Sequence, residues 1–139
     1  FVPSVQPHLL HSVTLKTIIT QIKTIKKGET VSYNRTYTAP KEMRIGVIPI
    51  GYADGLFREL SNGVGKVIIN GQPAPIIGKI CMDMCMIDLS KIKNAHIGDE
   101  VIVYGEENRI DTIAANIKRT PYELLTAISR RVPRIYIME

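Results

Sequence analysis

KVIINGQPAPIIGKI, residues 66–80, sets Asn70-Gly71 between two short runs rich in Val and Ile. Asn and Gly both accept the positive φ that the central residues of a type I′ turn require, and that turn matches the twist of antiparallel strands. The stretch therefore reads as a β-hairpin of two short strands. On its N-terminal side, MRIGVIPIG (43–51) is a nearly continuous apolar run of strand length, followed by the loop YADG. On its C-terminal side, MCMIDLS (84–90) and DEVIVYGE (99–106) supply two more strands. TLKTIITQIKTI (14–25) is rich in Thr and Ile and reads as one long strand, ended by KKGE. Short strands with turn residues between them predict a mainly β fold, a barrel or a sandwich.

One segment departs from that rhythm. IDTIAANIKRTPYELLTAIS (110–129) has apolar residues at 110, 113, 114 and 117, Asp111 as an N-cap, and Pro121 in the first turn of a second short helix. RVPRIYIM closes the chain as a further strand. Residues 1–13, FVPSVQPHLLHSV, show no clean period and read as the connection from an upstream domain, leaving 14–139 as the domain proper. A chain that begins with Phe1 reads as part of a longer protein.

Bulk properties narrow the classes. The 139 residues are 45% hydrophobic and 22% charged, typical of one globular domain with a real core. No apolar run approaches the ~18–20 residues needed to span a bilayer, and no signal peptide opens the chain. The net charge of +5, from 18 Lys+Arg against 13 Asp+Glu, is compatible with anionic ligands. It comes without the basic clusters and interleaved aromatics of a nucleic-acid binder. Read as strand neighbours in KICMDMCMIDL, Cys81 and Cys85 would hold their sulfurs ~13 Å apart, which rules out a disulfide. Without a nearby histidine they also make a poor zinc site, so they read as small buried hydrophobes.

The polar loops carry the remaining chemistry. ETVSYNRTYTAP (29–40) frames Asn34-Arg35-Thr36 between Tyr33 and Tyr37; Tyr52-Ala53-Asp54-Gly55 follows a buried strand; Met82-Asp83 follows Gly78. Tyrosines at strand ends commonly cap a core with wet hydroxyls, ADG is an ordinary turn, and Asp83 is equally a structural acceptor. The chemical alternative is a tyrosine that gives and takes protons. With a free pKa of ~10 it needs a cation or imidazole beside it, and nothing here supplies an obvious one. Spacing alone ends at a soluble β-barrel domain.

TVSYNRTYTA, RIGVIPIGYADG, ICMDMCMIDL and PYELLTAISRRVPR, in this order and at this spacing, resemble the C-terminal domain of alanine racemase, a pyridoxal-phosphate enzyme. The resemblance runs from about Leu15 to the chain end. It implies a β-barrel-like domain with one or two short helices near its C-terminus, attached to an N-terminal (β/α)8 barrel that carries the cofactor lysine. Tyr33 matches the family's acid/base for the L-enantiomer. Many relatives have glycine and a small residue where this chain has Asn34 and Arg35. Tyr52 matches a tyrosine lining the route into the site. Met82 matches the residue whose backbone N–H contacts the substrate carboxylate, and Asp83 its neighbour. Tyr122 matches a tyrosine whose hydroxyl contacts the cofactor phosphate.

Racemisation needs a base on one face of a planar carbanion and an acid on the other, with the cofactor ring stabilising the charge. The resemblance places Tyr33 on one of those faces, reaching a neighbour's site across a homodimer. It further implies interconversion of L- and D-alanine in the cytoplasm, supplying D-alanine for peptidoglycan, with pyridoxal phosphate bound mainly by the N-terminal barrel. Neither nucleic acid nor membrane is expected as a partner. Two other readings stand beside it: a vancomycin-resistance serine/alanine racemase domain, against which Tyr122 argues because a phenol there limits side-chain size, and a non-catalytic β-barrel binding module. Pyridoxal-phosphate decarboxylases share the architecture, but their cysteine-centred motifs are missing.

Overall fold

The structure, a computed structural model, describes residues 12–138. The expected connection over residues 1–13 thus lies, but for its last two residues, outside the described residues. Among the described residues nine strands are present: β1 (Leu15–Ile18), β2 (Gln21–Ile25), β3 (Thr30–Val31), β4 (Tyr37–Thr38), β5 (Met43–Ile48), β6 (Lys66–Ile69), β7 (Gln72–Ile77), β8 (Cys85–Asp88) and β9 (Glu100–Tyr104). Helices α1 (Ile110–Asn116) and α2 (Pro121–Ala127) follow. Seven strands form one curled antiparallel sheet in the order β1-β9-β6-β7-β8-β5-β2, and β3 and β4 pair separately.

The β6–β7 hairpin is as the sequence predicts. Asn70 (φ 50°) and Gly71 (φ 74°) both lie in the left-handed region, and Ile69 pairs directly with Gln72. From that register Pro73 and Pro75 fall opposite Ile68 and Lys66, at positions where a strand residue turns its N–H away from the partner. β8 joins the other side of β7 only at Ile76 and Ile77, so neither proline deprives the ladder of a donor.

The expected single strand over 14–25 is two strands with different partners. β1 pairs with β9 and β2 with β5. At the changeover the Ile19 N–H donates to the Asp99 carbonyl and the Thr20 N–H to the Val47 carbonyl, while the Ile19 side chain is wholly buried. The two edge strands of the sheet are therefore the two halves of one bent stretch, and this bend closes the sheet on itself. Inside lie Ile48, Leu56, Val67, Ile69, Ile76, Ile87, Val101 and Tyr104, with Leu124 of α2 and Ile113 of α1 covering one end.

A second, smaller cluster of Ile25, Val31, Ala39, Met43, Ile45 and Ile77 seats the β3–β4 hairpin against the barrel wall. This hairpin presents the Tyr33 turn.

Three further expectations are corrected. Arg109, not Asp111, occupies the N-cap of α1; Asp111 lies in the first turn, where a carboxylate is favoured by the helix dipole, and is gripped by Arg109 Nε and Nη2 at 3.1 and 3.0 Å. At α2 the reading holds: Pro121 opens the helix, and Thr120 and Glu123 form a reciprocal capping box. RVPRIYIM is not a strand, because among the described residues no strand pairs with it, and β-rich composition without a ladder does not make a sheet. Finally, Cys81 is not on a strand with Cys85. Its N–H closes a turn onto the Met84 carbonyl, and β8 begins only at Cys85. Both thiols are free; Cys81 is half-buried, contrary to expectation, and Cys85 is buried. Burial, with Cys81 nearby, pushes the Cys85 thiol up to about 12, so it stays protonated and inert.

Candidate active site

Three connections gather at one end of the barrel, where β3 leads into β4, where β5 ends, and where β8 begins. The first is the turn Tyr33–Arg35, entered through Ser32 (φ 74°) and containing Asn34 (φ 57°) and Arg35 (φ 52°). Three positive-φ residues within four positions are unusual for residues with a Cβ, and Asn is the one that tolerates that conformation best. The turn is held by Ser32, whose Oγ donates a 2.7 Å bond to the Lys79 carbonyl. Gly78, itself at φ 67°, leaves the space in which Ser32 sits. The turn is thereby fastened, through Ser32, to the Gly78–Lys79 segment.

The second connection is the tight turn Tyr52–Asp54. Its backbone lies directly on the third, the Cys81–Met84 turn. Tyr52 N–H donates to the Cys81 carbonyl and Ala53 N–H to the Met82 carbonyl, both at 3.0 Å. A Cβ at Gly51 would collide with these same two carbonyls, so only glycine permits the approach. Asp54 closes its own turn by accepting the Gly51 N–H at 2.9 Å. Met82 and Asp83 are exposed at the surface, and among the described residues no acceptor takes the Met82 N–H.

Arg131 joins the two turns from the far end of the chain. Its Nε lies 3.0 Å from Asp54 Oδ1 and its Nη2 2.8 Å from Asp83 Oδ1. The bond to Asp83, then the charge of Asp54, raises the Arg131 guanidinium above its ordinary value. Arg58 stands 5.7 Å from the centre of the Tyr52 ring, a cation over an aromatic face. Beside them lies an open hollow of about 280 Å³, lined by Tyr52, Phe57, Arg58 and Ala127 among others. A larger hollow of about 330 Å³ at the opposite end of β5, between Lys41, Arg44 and Lys93, contains none of the candidate residues.

Tyr122 is set apart from this group, exposed near the start of α2. Both ends of that helix are nonetheless tied to the segment following Tyr52. At the C-terminal end the Ala127 carbonyl leaves no room for a Cβ at Gly55, and Ser129 N–H donates to the Asp54 carbonyl. Just before the helix, Arg119 bonds Glu59 through Nε and Nη2 at 3.1 and 2.6 Å and stacks 4.7 Å from the Phe57 ring centre. That bond holds the Glu59 carboxyl below its ordinary value. Tyr122 is thus ~7 Å of helical rise from the Gly55 contact.

The structure thus brings the Tyr33 turn, Tyr52, Met82 and Asp83 together, and sets Tyr122 on a helix fastened to the same loop. Two residues passed over in the sequence, Ser32 and Arg131, do the fastening. Arg131 lies inside the motif PYELLTAISRRVPR, the one sequence signal that points to it. Among the described residues no group of three or more His, Cys, Asp and Glu could hold a metal, and no helix is long and apolar enough to cross a membrane.

Comparison with known proteins shows the family. Residues 12–136 match the sequence model described as "Alanine racemase, C-terminal domain". Alanine racemase 1 of Clostridium acetobutylicum is 48% identical over 128 residues, covering 89% of this chain and 33% of that protein. Alanine racemase of Helicobacter pylori is 43% identical over 133 residues, covering 93% of this chain and 35% of that protein. The chain spans about a third of the length of these relatives. Alanine racemase from Bartonella henselae, solved with covalently bound pyridoxal phosphate, superposes with a TM-score of 0.86 at 32% identity, over 89% of this chain and 34% of that one. The Clostridium difficile 630 enzyme in complex with cycloserine gives 0.81 at 41% identity, over 86% of this chain and 32% of that one. The chain belongs to the alanine racemase C-terminal domain family.

Proposed function

We propose that this chain is the C-terminal domain of a pyridoxal-phosphate-dependent alanine racemase that interconverts L- and D-alanine in the bacterial cytoplasm, supplying D-alanine for peptidoglycan. The observation that supports the reading is the packing of the Tyr52 turn on the Cys81–Met84 turn, with the turn that carries Tyr33 fastened to neighbouring Lys79, in a chain whose relatives are named alanine racemases.

Within that reading Tyr33 holds or moves a proton at one face of the substrate α-carbon, the opposite face being served from the N-terminal barrel. A phenol of ordinary pKa ~10 needs a cation close by to work near neutrality, and the family's geometry brings that cation from a partner subunit of a homodimer. The Met82 N–H, with no acceptor among the described residues, is available to a substrate carboxylate. Tyr52 and Asp83 line the approach. An exposed phenol at Tyr122 fits a phosphate oxygen as hydrogen-bond donor, so this chain offers one such contact and the rest of the cofactor is held elsewhere. When bound, pyridoxal phosphate supplies the electron sink that makes the α-proton removable. The phenol of Tyr122 also favours alanine over serine, because it leaves little room for a hydroxymethyl group.

Replacing Tyr33 with Phe in the full-length protein tests the central assignment. The expected result is a loss of roughly 10²–10⁴ in turnover, the scale of a positioned acid/base. Exchange of the α-proton with deuterated solvent should fall far more from L-alanine than from D-alanine. Equal losses from the two enantiomers would overturn the role of Tyr33.

A further inference from the structure

We infer that Arg131 is a positioning residue, which fastens the Met82–Asp83 turn to the Tyr52–Asp54 turn and so fixes the direction of the Met82 N–H. The inference rests on the reading of Met82 as the contact for the substrate carboxylate.

The two carboxylates that Arg131 joins are anchored very differently. Asp54 is mostly covered, its side chain 14% exposed, and its Oδ2 already takes the Gly51 N–H. Asp83 stands 60% exposed on the Cys81–Met84 turn, with Arg131 Nη2 at 2.8 Å from its Oδ1. One planar guanidinium therefore ties a loosely held carboxylate to a firmly held one. Arg131 is itself delivered in place. Its N–H meets Ser129 Oγ at 3.3 Å, Ser129 N–H bonds the Asp54 carbonyl, and Arg134 folds back onto the Ile128, Ser129 and Val132 carbonyls. The segment that carries Arg131 is thus built onto the Tyr52 loop, and only the guanidinium crosses to the Met82 turn.

An isolated exposed ion pair adds little to stability. Here its effect is local, because it restrains the turn that carries the Met82 N–H, and the remaining restraints on that turn are the bonds from Cys81, Tyr52 and Ala53. Arg131 also balances two carboxylates that would otherwise repel an approaching substrate carboxylate.

The test uses the full-length enzyme with Arg131→Gln and Arg131→Lys, measuring amide hydrogen exchange over residues 51–54 and 81–84 alongside steady-state kinetics. In Arg131→Gln, exchange at Ala53 and Cys81 should quicken by about fivefold. KM for alanine should rise by about 3–10-fold with kcat within about twofold, the scale of one restraining charged contact. Asp83→Asn should reproduce both effects, and combining it with Arg131→Gln should add nothing, since both cut one link. Arg131→Lys keeps the charge without the planar fork and should behave like Arg131→Gln; a wild-type KM in that variant would overturn fastening in favour of simple charge attraction. Unchanged exchange in Arg131→Gln overturns the inference whatever the activity does. Faster exchange with unchanged KM leaves the fastening standing and overturns the assignment of Met82 instead.

Discussion

Ser32 occupies the space that a side chain at Gly78 would need: a Cβ built on Gly78 falls 2.6 Å from the Ser32 Cβ. The Tyr33 turn is therefore seated on a glycine more than forty residues further along the chain, and the Ser32–Lys79 bond closes the joint. Gly78→Ala should both strain the backbone at φ 67° and push Ser32 outward. We expect a loss of about 1–3 kcal/mol in stability and, in the full-length enzyme, a kcat reduced more than KM is raised. Thermal melts and steady-state kinetics check this; wild-type behaviour in both would show that Gly78 does not seat the Tyr33 turn.

Arg35 offers the opposite experiment. It holds φ 52° with a Cβ, a conformation that costs about 1–2 kcal/mol and that glycine adopts freely. Arg35→Gly should therefore raise the stability by about 0.5–1 kcal/mol once the greater freedom of glycine in the unfolded chain is subtracted. Denaturant midpoints of the two proteins give the answer, and a lower midpoint for the glycine variant would contradict it.

Tyr104 lies in the barrel core, 1% exposed, and among the described residues its hydroxyl meets no partner. Burial pushes its phenol up to about 12, so the proton stays on at any ordinary pH. An unmade buried hydrogen bond is costly, and Tyr104→Phe should stabilise the fold by about 1 kcal/mol, raising Tm by about 3 °C. A drop in Tm would mean that the hydroxyl is satisfied in solution, by a buried water for example.

Substrate choice turns on Tyr122. Tyr122→Asn in the full-length enzyme should raise the serine-to-alanine ratio of kcat/KM by about 10–100-fold, since pocket size alone discriminates only modestly. A ratio that does not move would place Tyr122 away from the substrate side chain.

The parts of the fold legible in the sequence are those set by local chemistry. Asn70-Gly71 and the helix-opening Pro121 act within a few residues, and both are where the sequence puts them. The bend at Ile19–Thr20 is invisible because Thr and Ile suit either side of it; the bend arises from partners, Asp99 and Val47, far along the chain. RVPRIYIM fails for the same reason in reverse: good strand residues with no ladder to join. The candidate loops were readable as motifs, and Tyr33 and Met82 owe their seats to glycines within those motifs or beside them. Arg131 sits inside a legible motif, but its role is not legible there, since its bonds reach Asp54 and Asp83 across most of the domain.

The bend that closes the sheet also orders events in time. Leu15 takes Tyr104 as its partner while Gln21, a few residues on, takes Val47. On a ribosome adding roughly 5–20 residues per second, β2 can find β5 early, but β1 must wait several seconds more until β9 emerges. During that interval the nascent barrel is an open sheet with apolar flanks, the stage at which a chaperone or a neighbouring nascent chain competes with its own last strand. Slowing translation between β8 and β9 would lengthen that exposure without altering a single residue of the finished domain.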